Sequence, residues 1–205
     1  MCGFFYGGGT YAYYSDTEIA SDNTFESGTL NLKVGAVDPC TESISISNLS
    51  PGDYGTADSW LLSNIGSITG DLSIDISTIT SNENTRYEME TVAGDTTDAG
   101  GELEDYLKVA IWMDKDTSGT WNSGDYYLED DATTVDYVSS GLPTEAFNFM
   151  SDYASDSWTD VQTNLGNRNI GTLKIEYSLA DSATIDQAQS DSCVFDITFT
   201  LDQSA

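Results

Sequence analysis

Apolar and polar residues alternate along this chain in short runs with a period of two. In Asp71-Leu72-Ser73-Ile74-Asp75-Ile76-Ser77-Thr78-Ile79, Leu72, Ile74 and Ile76 share one face, and acids and serines share the other. Phe195, Ile197, Phe199 and Leu201 repeat the pattern in 193–202, as do Leu30, Leu32 and Val34 in 28–35. Successive side chains of a strand point to opposite faces, so this spacing predicts half-buried strands. The same signal predicts strands over 42–48, 107–113, 126–129 and 172–178. Clusters of Gly, Pro, Asp and Asn separate the runs, the turn chemistry of an antiparallel sandwich. One segment has a different period. Within 143–154, Ala146, Phe149, Met150 and Tyr153 stand at i, i+3, i+4 and i+7, with Thr144 placed to cap and Glu145 in the first turn. That predicts a short helix whose apolar stripe packs on the sandwich.

The 205 residues contain no Pro/Gly/Ser-rich linker, so one β domain over 17–205 is expected after an N-terminal segment, 1–16. Four Trp, twelve Tyr and seven Phe give it a core. The charge changes the picture. Thirty-five acids against six bases leave −29. Such a surface repels phosphate backbones and anionic lipid, so no nucleic-acid partner is expected. It suits concentrated salt or uptake of divalent cations; an ordinary acidic secreted exterior is the plainer reading. No run approaches the about 20 apolar residues of a membrane helix, so no membrane span is predicted.

The clearest chemical motif is Asp114-Lys115-Asp116-Thr117-Ser118-Gly119-Thr120-Trp121-Asn122-Ser123-Gly124-Asp125. It follows the twelve-position calcium loop: side-chain oxygens at 1, 3 and 5 (Asp114, Asp116, Ser118), glycine at 6, a carbonyl at 7 (Thr120) and a carboxylate at 12 (Asp125). A tightly wound loop turns every second oxygen inward onto a hard cation. The flanking segments read as strands, so the motif predicts a calcium-binding hairpin of structural role, not an EF-hand. A polar Asp/Ser/Gly turn is the bland alternative.

Histidine is absent. That removes Ser-His-Asp and Cys-His arrangements, His-based zinc sites and the H-E-x-x-H helix. Carboxylate pairs such as Glu102 and Glu104 arise by chance in a chain this acidic. The chain is therefore expected not to be an enzyme, with no catalytic residues assigned.

Gly7 to Val34, followed in order by Ser47-Asn48-Leu49-Ser50-Pro51-Gly52-Asp53, resembles the start of the TasA/camelysin family of secreted biofilm fibre subunits, which includes archaeal bundling-pilus relatives. The resemblance implies an antiparallel jelly-roll sandwich and a structural subunit of an extracellular filament or pilus, acting in biofilm matrix and cell–cell adhesion. Some camelysin relatives are described as metalloproteases. The uncharged opening fits the filament reading. Phe4, Phe5, Tyr6, Thr10, Tyr11, Ala12, Tyr13 and Tyr14 precede the first charge, Asp16. As an extended donor strand, these residues would pair with a sheet edge of the next copy and propagate head to tail, with bundling possible between filaments. The alternative is a remnant of a secretory signal ending near Thr10-Tyr11-Ala12. Two other functions stay open: a monomeric calcium-dependent adhesin or carbohydrate-binding module, and a camelysin-type metalloprotease.

Three cysteines are an odd number. If the first core strand lies antiparallel to the last, Cys40 and Cys193 come near each other, and a bridge between them is expected in an oxidising exterior. Cys2 is then the spare thiol. Asn48 heads a glycosylation sequon, Asn48-Leu49-Ser50, with Pro51 directly after it.

Overall fold

The computed structural model describes residues 28–35, 41–85, 88–94, 100–136, 141–181, 188 and 190–204. Within them the period-two runs become strands: β1 (Leu32–Val34), β2 (Thr41–Ser47), β3 (Tyr54–Asn64), β4 (Gly70–Ile76), β5 (Thr80–Asn82) and β6 (Leu107–Asp114). The chain continues through β7 (Tyr126–Leu128), β8 (Thr134–Asp136), β9 (Asn148–Phe149), β10 (Ser157–Leu165), β11 (Arg168–Leu179) and β12 (Ser192–Gln203). Two short helices, α1 (Glu88–Ala93) and α2 (Leu103–Tyr106), interrupt them. One sheet has the order β1-β3-β11-β6-β7-β8, with β9 also on β6. The other runs β10-β4-β12-β2, with β5 also on β12. Every pairing between these strands is antiparallel.

The inner faces follow the alternation. Leu72, Ile74 and Ile76 of β4 and Phe195, Ile197 and Phe199 of β12 are buried against Leu62, Val109, Ile111, Leu173 and Ile175 of the facing sheet. Trp60 meets Phe199 edge-on, ring centroids 6.0 Å apart. Each such side chain contributes about 1.5–3 kcal/mol by leaving water. β6 is buried on both faces, because Ala110, Trp112, Trp121, Tyr127 and Ala146 form a second small cluster on its outer side.

Two long strands have no clean alternation. In β3, Asp58 and Ser59 are both exposed and the register to β11 shifts between Ile175 and Glu176. In β10, Asp160 and Asn164 have φ of 54° and 55°, and the register to β4 shifts twice. Bulges of this kind add a residue and break the period.

The helix predicted over 143–154 does not form. Two 3₁₀ turns, Thr144–Ala146 and Met150–Tyr153, flank β9, which pairs with β6. Ala146, Met150 and Tyr153 are buried as the stripe requires, while Phe149 stays partly exposed under the Lys108 ammonium. Tyr153 also anchors its hydroxyl on the Leu128 carbonyl at 3.0 Å. Backbone pairing and that anchor outweigh a helix of barely three turns.

Buried Asn64 ties one end together. Its amide donates to the carbonyls of Ile68 and Leu165, at 2.9 and 2.8 Å, and its Oδ1 accepts from Gly66 N. The segment leading into β1, Thr29 to Asn31, lies close over Gly66.

Candidate functional site

Loop 114–125 joins β6 to β7, which pair through Met113 and Tyr126, so the motif is a hairpin loop. Both ends are fixed. Trp121 packs against Trp112 and Tyr127, at centroid distances of 5.5 and 6.1 Å. Asp114 and Asp125 are each 1% exposed. Asp114 accepts from Ser118 N through Oδ1 (3.0 Å) and from Gly119 N through Oδ2 (2.7 Å). Asp125 accepts from Lys115 N (2.9 Å) and Asn122 N (2.8 Å). Gly119 has φ +84°, a left-handed turn that favours a residue without Cβ.

One carboxylate oxygen each from Asp114, Asp116 and Asp125 lie within 4.8 Å of one another. Nearer the solvent, Asn122 Nδ2 stands 3.2 Å from both Asp116 oxygens, 3.0 Å from Ser118 Oγ and 3.2 Å from the Thr120 carbonyl. An amide nitrogen has two hydrogens, too few for four acceptors. Four oxygens converging on one point are what a hard cation takes as ligands. Lys174 lies alongside, donating to the Gly119 carbonyl at 2.8 Å and standing 3.9 Å from Asp114 Oδ2. Burial pushes the Asp114 carboxyl above the ordinary range; the Gly119 and Ser118 amides oppose this and Asp125 adds repulsion. Hydrogen bonds from Ser118 and Asn122 hold Asp116 below that range.

All five residues read from the motif therefore lie in one hairpin. Asn122 was missed, although it occupies position 9, where loops of this type commonly bind through water. A second group was missed entirely. Carboxylate oxygens of Glu83, Glu102 and Asp191 also lie within 4.8 Å of one another. Those residues come from three distant segments, so no sequence spacing signals them.

The remaining assignments divide. Phe4, Phe5, Tyr6, Thr10, Tyr11, Ala12, Tyr13 and Tyr14 lie outside the described residues, as does Cys40. The Cys40–Cys193 bridge is not made: Cys193 is a free, buried thiol. The strand beside β12 is β2, whose register sets Cys193 opposite Ile46 and Thr41 opposite Thr198. Burial, with the Glu104 charge behind it, pushes the Cys193 thiol up to about 12, which keeps it protonated and inert. Asn48 is exposed after β2 with φ 57°, its Nδ2 donating to Ser47 Oγ at 3.1 Å.

One sheet edge stands out. β1 covers β3 only at Leu62, Ser63 and Asn64, and Gly35 N reaches the Leu61 carbonyl. Among the described residues no strand lies beside Tyr54 to Trp60 on the side away from β11. β2, the outer strand of the other sheet, also contacts β3. At the start of this stretch Tyr54, 84% exposed, borders a cavity of about 450 Å³ lined also by Thr56, Lys108, Phe147 and Tyr177.

The family model described as camelysin metallo-endopeptidase matches residues 3–205. That match overturns the expectation that the chain is not an enzyme, because the family is described by a peptidase activity. The missing histidines exclude imidazole ligands, not metal held by carboxylates. No curated protein matches the chain. Among solved structures, the infectious bursal disease virus Gx strain aligns at 13% identity and a TM-score of 0.32, over 91% of this chain and 37% of that one. The Gt strain aligns at 13% identity and a TM-score of 0.18, over 92% and 47%. The chain thus spans less than half the length of either.

Proposed function

The chain belongs to the camelysin metallo-endopeptidase family, and from that premise we propose that it is an extracellular filament subunit completed by a strand from another copy. The observation that carries this reading is the stretch of β3 from Tyr54 to Trp60, beside which, among the described residues, no strand lies on the side away from β11. An unpaired edge presents main-chain donors and acceptors to any extended chain. The uncharged segment from Gly3 to Tyr14 is suited to fill it. At about 3.3 Å per residue it is longer than the open stretch. The sandwich is read as a jelly roll, and calcium in the 114–125 hairpin would stiffen the β6–β7 side. The four oxygens around the Asn122 amide support that assignment.

Deletion of residues 1–14 tests the proposal. Full-length protein is expected to form filaments in electron micrographs and the truncated protein to remain monomeric. A synthetic peptide of residues 3–14 added to the truncated protein should raise its melting temperature. Filaments from the truncated protein, or a full-length protein that never polymerises, would overturn the reading.

The family description favours a second reading, metal-dependent peptide-bond cleavage. Casein hydrolysis by pure protein, lost with EDTA and restored by metal, would support it. No hydrolysis with any of calcium, zinc or manganese would remove it.

A further inference from the structure

Away from the 114–125 hairpin, three segments bring acids together below the end of β12. Glu83 follows β5, Glu102 precedes α2 and Asp191 precedes β12. Asp191 is 1% exposed. Its Oδ2 accepts from Glu102 N at 2.6 Å, and its Oδ1 is buried with no hydrogen-bond partner. A Cβ on Gly101 would lie 2.6 Å from Asp191 Cγ, so that glycine lets the carboxyl lie against the backbone. Ser190 holds the rim in place: its Oγ lies 3.0 Å from Glu83 Oε1 and 2.9 Å from Glu90 Oε1, and Glu90 is itself fully buried.

An acceptor-only oxygen buried among carboxylates is costly unless a positive charge joins it. The geometry points to a second site for a hard divalent cation, calcium, held by Glu83, Glu102 and Asp191. Carboxylate oxygens favour calcium, magnesium and manganese over softer metals, and calcium tolerates irregular oxygen sets where magnesium demands an octahedron. A groove of about 420 Å³ lined by Ser45, Ser47, Asn84, Thr85, Ser190 and Ser192 opens on the Ser190 side of the cluster. Bound there, calcium would tie the Ser192–Asn82 end of the β5–β12 pair to the start of α2. This site stands apart from filament assembly and from the hairpin.

The test is calcium stoichiometry by equilibrium dialysis in about 1 M NaCl, where a Debye length of about 3 Å screens the acidic exterior. Full-length protein is expected to bind two calcium ions per chain. Asp191→Asn is expected to bind one, with the hairpin ion kept; Asp116→Asn is expected to keep only the ion at Asp191. If Asp191→Asn loses its β circular dichroism, Glu83→Gln at the half-buried rim carries the same test. No calcium on the full-length chain, or as many ions on a folded Asp191→Asn or Glu83→Gln variant as on the full-length chain, would overturn the site.

Discussion

The Asn122 amide nitrogen sits where four oxygens meet, and replacing it with calcium turns weak competing contacts into coordination. Calcium at a hundredfold excess over its dissociation constant would add about 2.7 kcal/mol to folding. For a chain of this size that is a rise of about 5–10 °C in melting temperature. Asp116→Asn, at an exposed position, should lose the hairpin's share of the calcium-dependent rise, keep whatever the ion at Asp191 contributes, and leave the EDTA melting temperature almost unchanged. Differential scanning calorimetry with and without calcium checks both. A second residue carries a pH signature. Asp156 is half-buried with Oδ2 unpartnered; burial first, then Asp130, Asp131 and Asp152, raise its carboxyl. The folded state therefore binds a proton more readily than the unfolded chain, and stability falls as pH rises from about 4, where unfolded Asp titrates, through the folded value. Asp156→Asn should flatten that fall in urea midpoints measured between pH 4 and 7. Of these residues, the hairpin could be read from the sequence because its ligands are consecutive. Asp156 and Asp191 could not, since their environments are assembled by segments remote in the chain.

At the level of strands, legibility followed how strictly the period of two was kept. β4 and β12 alternate without a break, and their inward residues are those the sequence indicates. β3 and β10 went unseen because each carries bulges, and their exposed faces hold Thr, Asp and Asn that read as turns. Region 143–154 misled in the opposite sense: spacings of three and four fit two 3₁₀ turns around β9 as well as one helix. Element packing also makes a sharp prediction at Gly66, where a Cβ would meet the Thr29 carbonyl, Asn31 N at 2.7 Å and the Leu30 Cα at 2.9 Å. Gly66→Ala should push β1 off the end of β3, costing about 1–3 kcal/mol. Hydrogen exchange should then accelerate at Leu32–Val34. Gly166→Ala, with nothing within 4 Å of its new methyl, is the matched control and should be near neutral.

Across the whole molecule, a net charge of −29 opposes both folding and self-association. Raising NaCl from about 0.1 to 1 M shortens the Debye length from about 10 to 3 Å. The melting temperature should rise with salt even in EDTA, and a salt-independent value would show that the charges are already neutralised. Screening should likewise speed polymerisation, because copies approaching end to end carry the same sign. The most direct measurement is a cryo-electron-microscopy map of the assembled protein at side-chain resolution. The account predicts residues 3–14 of a neighbouring subunit running beside Tyr54 to Trp60 of β3. An edge left bare in the fibre, or covered by the subunit's own chain, would contradict it.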